Sequence, residues 1–178
     1  FDNNHFGSTR PEFHRIRSIT DQFEPGSTFK VVSTVSALYD GLISLNDEFN
    51  CENGSFEYHT KKVTDHESYS MLTASQIIHH SSNIGIIKIM DQVGPKRLFS
   101  MSRDFGFGSR TGINLNGEVS GKLNHFNDWS AVSLGMIAMG HEVGVTAIQL
   151  ASAYCAIANG GYLLKPTIVK QIMDESEN

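Results

Sequence analysis

Apolar positions along this chain recur with a helical period more often than with a strand period. Phe29, Val31, Val32, Val35, Ala37, Leu38 and Tyr39 predict a helix that is apolar nearly all round, ended by Asp40-Gly41. A helix with no polar face belongs in a protein interior. Pro25-Gly26 makes a tight turn just before it and places Ser27 in its first turn. Thr73 with Gln76 three residues on is a capping box that opens a second helix. Ser81-Ser82-Asn83 interrupts that helix, and Ile84, Ile87, Lys88 and Asp91 resume the period. Pro95 and Gly106 frame a helix over 95–105, and Val132, Met136 and Met139 mark another over 130–139. Thr146 with Gln149 is a second capping box. Leu150, Ala153, Tyr154, Ile157 and Ala158 then form one helical face, stopped by Gly160-Gly161.

Strand signals are few. Phe49, Cys51, Phe56 and Tyr58 flank Asn53-Gly54 and predict a short hairpin around that turn. Residues 166–173, from Pro166 to Met173, are rich in β-branched side chains and read as a single strand. A lone strand cannot stabilise itself, so its partners are expected outside this stretch. The first residues, Phe1-Asp2-Asn3-Asn4-His5, are no signal peptide and lack an initiator Met, which reads as a cut into a longer chain.

Composition narrows the function classes. The 178 residues carry 14 Lys+Arg against 19 Asp+Glu, a net charge of −5, so the basic stripe that nucleic-acid binding needs is missing. The best apolar runs, 84–87 and 134–139, are far too short to cross a membrane. The two cysteines, Cys51 and Cys155, form no disulfide framework and no zinc motif. Cys155 lies in a helical apolar run and reads as a buried free thiol, while Cys51 follows a polar turn. Eight histidines show no metal-binding spacing, and His79-His80 would point about 100° apart on a helix. No cofactor or metal is expected.

Ser27-Thr28-Phe29-Lys30 carries the chemistry. On a helix, i and i+3 share a face, so the hydroxyl and the amine can meet. Serine becomes a nucleophile when a base takes its proton. A lysine at an unshifted pKa of about 10.4 is neutral in roughly one molecule in 2500 at pH 7. Burial in an apolar helix can lower that value enough to make it a base. The helix N-terminus adds positive potential that favours an alkoxide at Ser27. Ser81-Ser82-Asn83 offers a second hydroxyl, able to relay a proton, and an amide able to orient the lysine or a carbonyl. Each motif alone is also what an ordinary polar turn or helix face would contain.

Together they resemble a known family. The segment 17–30, Arg-Ser-Ile-Thr-Asp-Gln-Phe-Glu-Pro-Gly-Ser-Thr-Phe-Lys, closely resembles the nucleophile segment of class B penicillin-binding proteins, the monofunctional D,D-transpeptidases. His80-Ser81-Ser82-Asn83-Ile84-Gly85 is similar to their second motif. Phe105-Gly106-Phe107-Gly108, Thr111-Gly112-Ile113 and Gly117-Glu118 resemble their following loop. The segment 143–150 (Val-Gly-Val-Thr-Ala-Ile-Gln-Leu), Ala158-Asn159-Gly160-Gly161 and Lys165-Pro166 continue the likeness, which is closer to the cell-division type than to the elongation type.

The resemblance implies an α/β fold: the mostly helical part of the transpeptidase fold shared with serine β-lactamases, with most of the central antiparallel sheet outside the chain. Residues 1–178 would be a partial transpeptidase domain, between the first strands of that sheet and the Lys-Thr-Gly strand. It implies Ser27 as the acylated nucleophile, Lys30 as its base, Ser81 as proton relay, and Asn83 as holder of substrate and Lys30. The expected substrate is the D-Ala-D-Ala end of a peptidoglycan stem peptide, with β-lactams as mimics and division or cell-wall synthesis proteins as partners. The expected location is the periplasmic face of the bacterial inner membrane, with an N-terminal anchor outside the chain. The family's Lys-Thr-Gly motif does not occur here; Arg110-Thr111-Gly112 sits in the Gly-rich loop and is no substitute. Ala147 stands where the family commonly has Pro. Without the third motif the stretch alone is expected to be inactive. The competing readings are a β-lactamase or β-lactam sensor of the same fold, and a non-catalytic division scaffold.

Overall fold

The computed structural model describes residues 3–171, and the helical periods dominate there as expected. A short helix α1 (Arg17–Thr20) is followed by a 3-10 turn over Gly26–Phe29 that runs straight into α2 (Lys30–Tyr39). Two short strand pairs come next, from β1 (Glu48–Asn50), β2 (Ser55–Tyr58), β3 (Lys61–Thr64) and β4 (Met71–Thr73). The chain then builds α3 (Ala74–His80), α4 (Asn83–Val93), α5 (Pro95–Asp104), α6 (Ser133–Ala138) and α7 (Ala147–Ala158).

The core centres on α4, whose Ile84, Ile86, Ile87, Ile89 and Met90 are wholly buried. Each such side chain contributes about 1.5–3 kcal/mol relative to exposure. Helices α2, α3, α5 and α6 and the strands β1 and β3 pack around it. Two expected capping boxes form, Thr73 with Gln76 at α3 and Thr146 with Gln149 at α7. Gln149 is fully buried, and its amide also donates to the Ser109 and Ser120 carbonyls, tying the glycine-rich loop to α7.

Several expectations are corrected. The hairpin does not turn at Asn53-Gly54. Instead β1 pairs with β4, Phe49 opposite Leu72, while β2 pairs with β3 through the two-residue loop His59-Thr60. Asn53 and Gly54 do take positive φ, at 51° and 83°, but the 3-10 turn they form sends the chain into a different strand pair. Helix α2 is not enclosed on every side. Val32, Ala37 and the small polar Ser33, Thr34 and Ser36 are buried, whereas Val31, Val35, Leu38 and Tyr39 form a half-open apolar stripe. Val35 and Tyr39 of that stripe line a groove with Met101, Phe105, Ile157 and Leu163. The buried face of α7 is Gln149, Ser152, Ala153 and Ala156, not the bulkier face expected; Tyr154 and Ile157 are 41% and 42% exposed. Small residues let α7 approach its neighbours closely, and that packing outweighs the larger apolar side chains. The same rotation exposes Cys155. Cys51 is the buried thiol, and both cysteines are free.

The helix expected over 130–139 is shorter, Ser133–Ala138. No strand forms over 166–171, and residues 172 and 173 of that expected strand lie outside the described residues. No helix among the described residues is long and apolar enough to cross a membrane.

Candidate active site

The site begins with a backbone constraint. Gly26 has φ 57° and donates its N–H to the Gly140 carbonyl at 3.1 Å. Gly140 has φ 84°, and a Cβ there would fall onto the Gly26 backbone. Only glycine permits this approach, which clamps the turn carrying Ser27 against the end of α6. Thr28 closes the same turn, its Oγ1 donating to the Pro25 carbonyl at 2.7 Å, and the Tyr154 hydroxyl donates to the Thr28 carbonyl at 2.9 Å. Ser27 is exposed at the start of this helical segment.

Lys30 lies on the same side, because i and i+3 eclipse in a 3-10 turn. Its environment is the opposite of that of Ser27. The side chain is 2% exposed, and its Nζ donates to the Ser81 carbonyl, to Ser81 Oγ at 3.1 Å and to Asn83 Oδ1 at 2.7 Å. No hydrogen bond joins Lys30 to Ser27, so the amine is held by residues 51 and 53 positions along the chain rather than by its helical neighbour. Burial pushes the Lys30 pKa down to about 8, against a smaller upward pull from the Asp65 carboxylate.

Ser81 and Asn83 reach Lys30 because the chain bends sharply between α3 and α4. Ser81 ends α3 in the left-handed region, at φ 55° and ψ 40°. Ser82 caps α4, its Oγ accepting from the Gly85 N–H at 2.9 Å. Asp65 then holds the start of α4 with both oxygens. Oδ2 accepts from Ser82 Oγ at 2.6 Å, and Oδ1 accepts from the Asn83 N–H at 2.5 Å and the Ile84 N–H at 3.1 Å. The Asn83 amide nitrogen donates to the Thr64 carbonyl at 2.9 Å, which leaves its oxygen for Lys30.

The four residues expected from sequence therefore separate into two groups. Lys30, Ser81 and Asn83 form one hydrogen-bonded cluster, and Ser27 stands exposed one turn ahead of it. Thr64, Asp65, Gly140 and Tyr154 were missed. Thr64 ends β3 and Asp65 follows it in the polar stretch before β4, where nothing in the local pattern marks them. Chemically, a protonated Lys30 can satisfy three acceptors at once. A neutral amine has two N–H groups and one lone pair, to which the Ser81 hydroxyl can donate. The cluster thus accommodates both protonation states. No group of three His, Cys, Asp or Glu side chains among the described residues is arranged to hold a metal ion.

An exposed serine on a clamped turn, a buried amine and a Ser-x-Asn bend lie together on a mainly helical scaffold. Comparison with known proteins carries this to a family. The penicillin binding protein transpeptidase domain matches residues 1–178, and the chain belongs to that family. It is 34% identical over 155 residues to penicillin-binding protein PbpB of Mycolicibacterium smegmatis, covering 86% of this chain and 24% of that protein. It is 31% identical to the probable peptidoglycan D,D-transpeptidase PbpC of Pseudomonas aeruginosa, covering 96% of this chain and 30% of that protein. Its structure resembles the transpeptidase domain of Burkholderia pseudomallei penicillin-binding protein 3, with a TM-score of 0.85 and 32% identity over 89% of this chain and 48% of that one. The relatives are class B penicillin-binding proteins. The chain spans about a quarter to a third of the length of the first of these curated relatives.

Proposed function

We propose that this chain carries the nucleophile, the base and the proton relay of a peptidoglycan D,D-transpeptidase, with Ser27, Lys30, Ser81 and Asn83 as its catalytic residues. The observation that carries this is Lys30: a buried amine, lowered toward neutrality, held by Ser81 and Asn83 beside an exposed serine. Ser27 Oγ attacks the carbonyl between the two terminal D-Ala residues of a stem peptide and passes its proton to Lys30. Ser81 relays that proton to the departing D-Ala amine as the C–N bond breaks, leaving an ester on Ser27. The amine of a second stem peptide then attacks the ester, restores the Ser27 hydroxyl and forms the cross-link. A β-lactam carbonyl takes the same path to a stable ester. Membership of a family named for penicillin binding, and a relative named as a D,D-transpeptidase, support this reading. We further propose a cell-division role at the periplasmic face of the inner membrane, as the family resemblance implies.

The 178 residues contain no Lys-Thr-Gly, so the donors that grip a substrate carboxylate in the family must come from further chain. Labelling with fluorescent penicillin tests both points. The full-length protein is expected to be acylated at Ser27, and Ser27→Ala to remain unlabelled. Labelling that survives Ser27→Ala would overturn the assignment. The isolated 178-residue stretch is expected to show no rapid acylation. An acyl-enzyme lasting hours supports a transpeptidase, and one lasting seconds supports the β-lactamase reading instead.

A further inference from the structure

Asp65 is half-buried and uses both carboxylate oxygens on one target, the first turn of α4. A helix cap needs one accepting atom; here three donors converge, from Ser82 Oγ and from the N–H groups of Asn83 and Ile84. A carboxylate suits this because it accepts at every position and its charge complements the helix N-terminus. The group is itself fixed. Thr64 closes the β2–β3 ladder opposite Ser55, and the Asp65 N–H donates to the Gly54 carbonyl at 3.1 Å. The neighbouring Thr64 carbonyl receives the Asn83 amide nitrogen. An asparagine amide turned about its last bond would present N–H groups to the lysine instead of an oxygen. The Thr64 carbonyl opposes that turn, so the end of β3 sets which face of the Asn83 amide meets Lys30.

We propose that Asp65 is the positioning residue of the site: it locks the start of α4 so that Asn83 and Ser81 present acceptors to Lys30, and it places a fixed negative charge behind that amine. The proposal rests on the acyl-transfer reading above. Asp65 touches neither Ser27 nor Lys30 and acts through Ser82 and Asn83. Among the described residues it is the charged side chain whose field reaches Lys30, since the groups touching the amine from α3 and α4 are the neutral Ser81 and Asn83. A cap that served stability alone would leave the chemistry of folded molecules untouched.

Two variants of the full-length protein separate geometry from charge. Asp65→Asn keeps an accepting oxygen for both N–H groups and turns its amide toward Ser82 Oγ, which can accept. Asp65→Ala removes every contact. The rate of acylation by fluorescent penicillin is measured from pH 6 to pH 10 on protein shown by circular dichroism to be folded. Asp65→Ala is expected to lose about 10- to 100-fold in plateau rate, the cost of a misplaced catalytic group. Asp65→Asn is expected to hold its plateau within about threefold while its acid limb moves to lower pH, because the lysine loses a charge that favours its protonated form. An Asp65→Asn profile superimposable on the parent's overturns the proposal, whether or not Asp65→Ala folds. So does folded Asp65→Ala with the parental rate. The parent protein is mapped first: a label absent from Ser27 defeats the acyl-transfer reading, whereas a label on Ser27 with unaffected Asp65 variants defeats the role of Asp65 alone.

Discussion

The acylation rate of Ser27 should follow the titration of Lys30, and the structure sets where. With its pKa lowered from 10.5 to about 8 by burial, the amine is neutral in roughly one molecule in ten at pH 7, against roughly one in 3000 for an unshifted lysine. The gain in usable base is about 300-fold, and it corresponds to about 3 kcal/mol of folding free energy given up to keep the amine out of water. The sign follows from the direction of the shift. The folded state disfavours the protonated amine, so this cost is present in full below the folded value. It fades as pH rises from about 8 toward 10.5, where the unfolded chain holds a proton that the folded chain has lost. Rates of fluorescent-penicillin acylation, taken by stopped flow on the full-length protein, should rise about tenfold from pH 6 to 7, rise about tenfold again by pH 9, and then level. Lys30→Met and Lys30→Arg should both lose about 100- to 10,000-fold at pH 8. The arginine variant is the sharper control, since it keeps donors and charge but cannot become a base. A rate flat from pH 6 to 9 would refute the base role. A rise continuing tenfold per unit past pH 10 would show that burial does not shift this lysine.

Gly140→Ala should cost about 2–3 kcal/mol, because it combines a positive φ with a side chain driven into the Gly26 backbone. Thermal unfolding would register that loss, and the acylation rate of the folded fraction should fall more than about tenfold as the Ser27 turn shifts. Normal kinetics in that variant would show that the clamp does not set the nucleophile. Of the two cysteines, exposed Cys155 should react with a thiol reagent in the native protein, while buried Cys51 should require unfolding, at least about 100-fold more slowly. Peptide mapping by mass spectrometry distinguishes them, and rapid modification of Cys51 would contradict the core packing.

Local chemistry could be read from the chain wherever it is carried by neighbours in sequence. Both capping boxes form as expected, because each needs only a hydroxyl and an amide three residues apart. The start of α5 at Pro95 and the left-handed break at Ser81 are local in the same way. The errors fall where two distant segments decide. Asn53-Gly54 has the right dihedrals for a turn, but whether β1 meets β2 or β4 depends on Leu72 finding Phe49. The helical period of α7 marks the face Leu150, Ala153, Tyr154, Ile157 and Ala158, whereas the fold buries the side of smaller residues that could approach closely. Rotating that face accounts at once for exposed Tyr154 and exposed Cys155.

The site shows the same division within one motif. Spacing places Lys30 on the side of Ser27, and the amine is buried as the proposed base role requires, yet its partners come from the bend between α3 and α4. A base bonded to its own nucleophile would be committed before substrate arrives. Holding the amine on Ser81 and Asn83 leaves Ser27 free at the surface and keeps the lysine desolvated, and the Ser81 hydroxyl can answer either protonation state. That arrangement needs the bend to be rigid, and its rigidity comes from a carboxylate on a third segment, at the end of β3. A motif of four residues is therefore sustained by a fifth that lies outside both recognisable patterns. It was invisible in the sequence because an aspartate in a polar loop looks the same whether or not a helix N-terminus waits across from it.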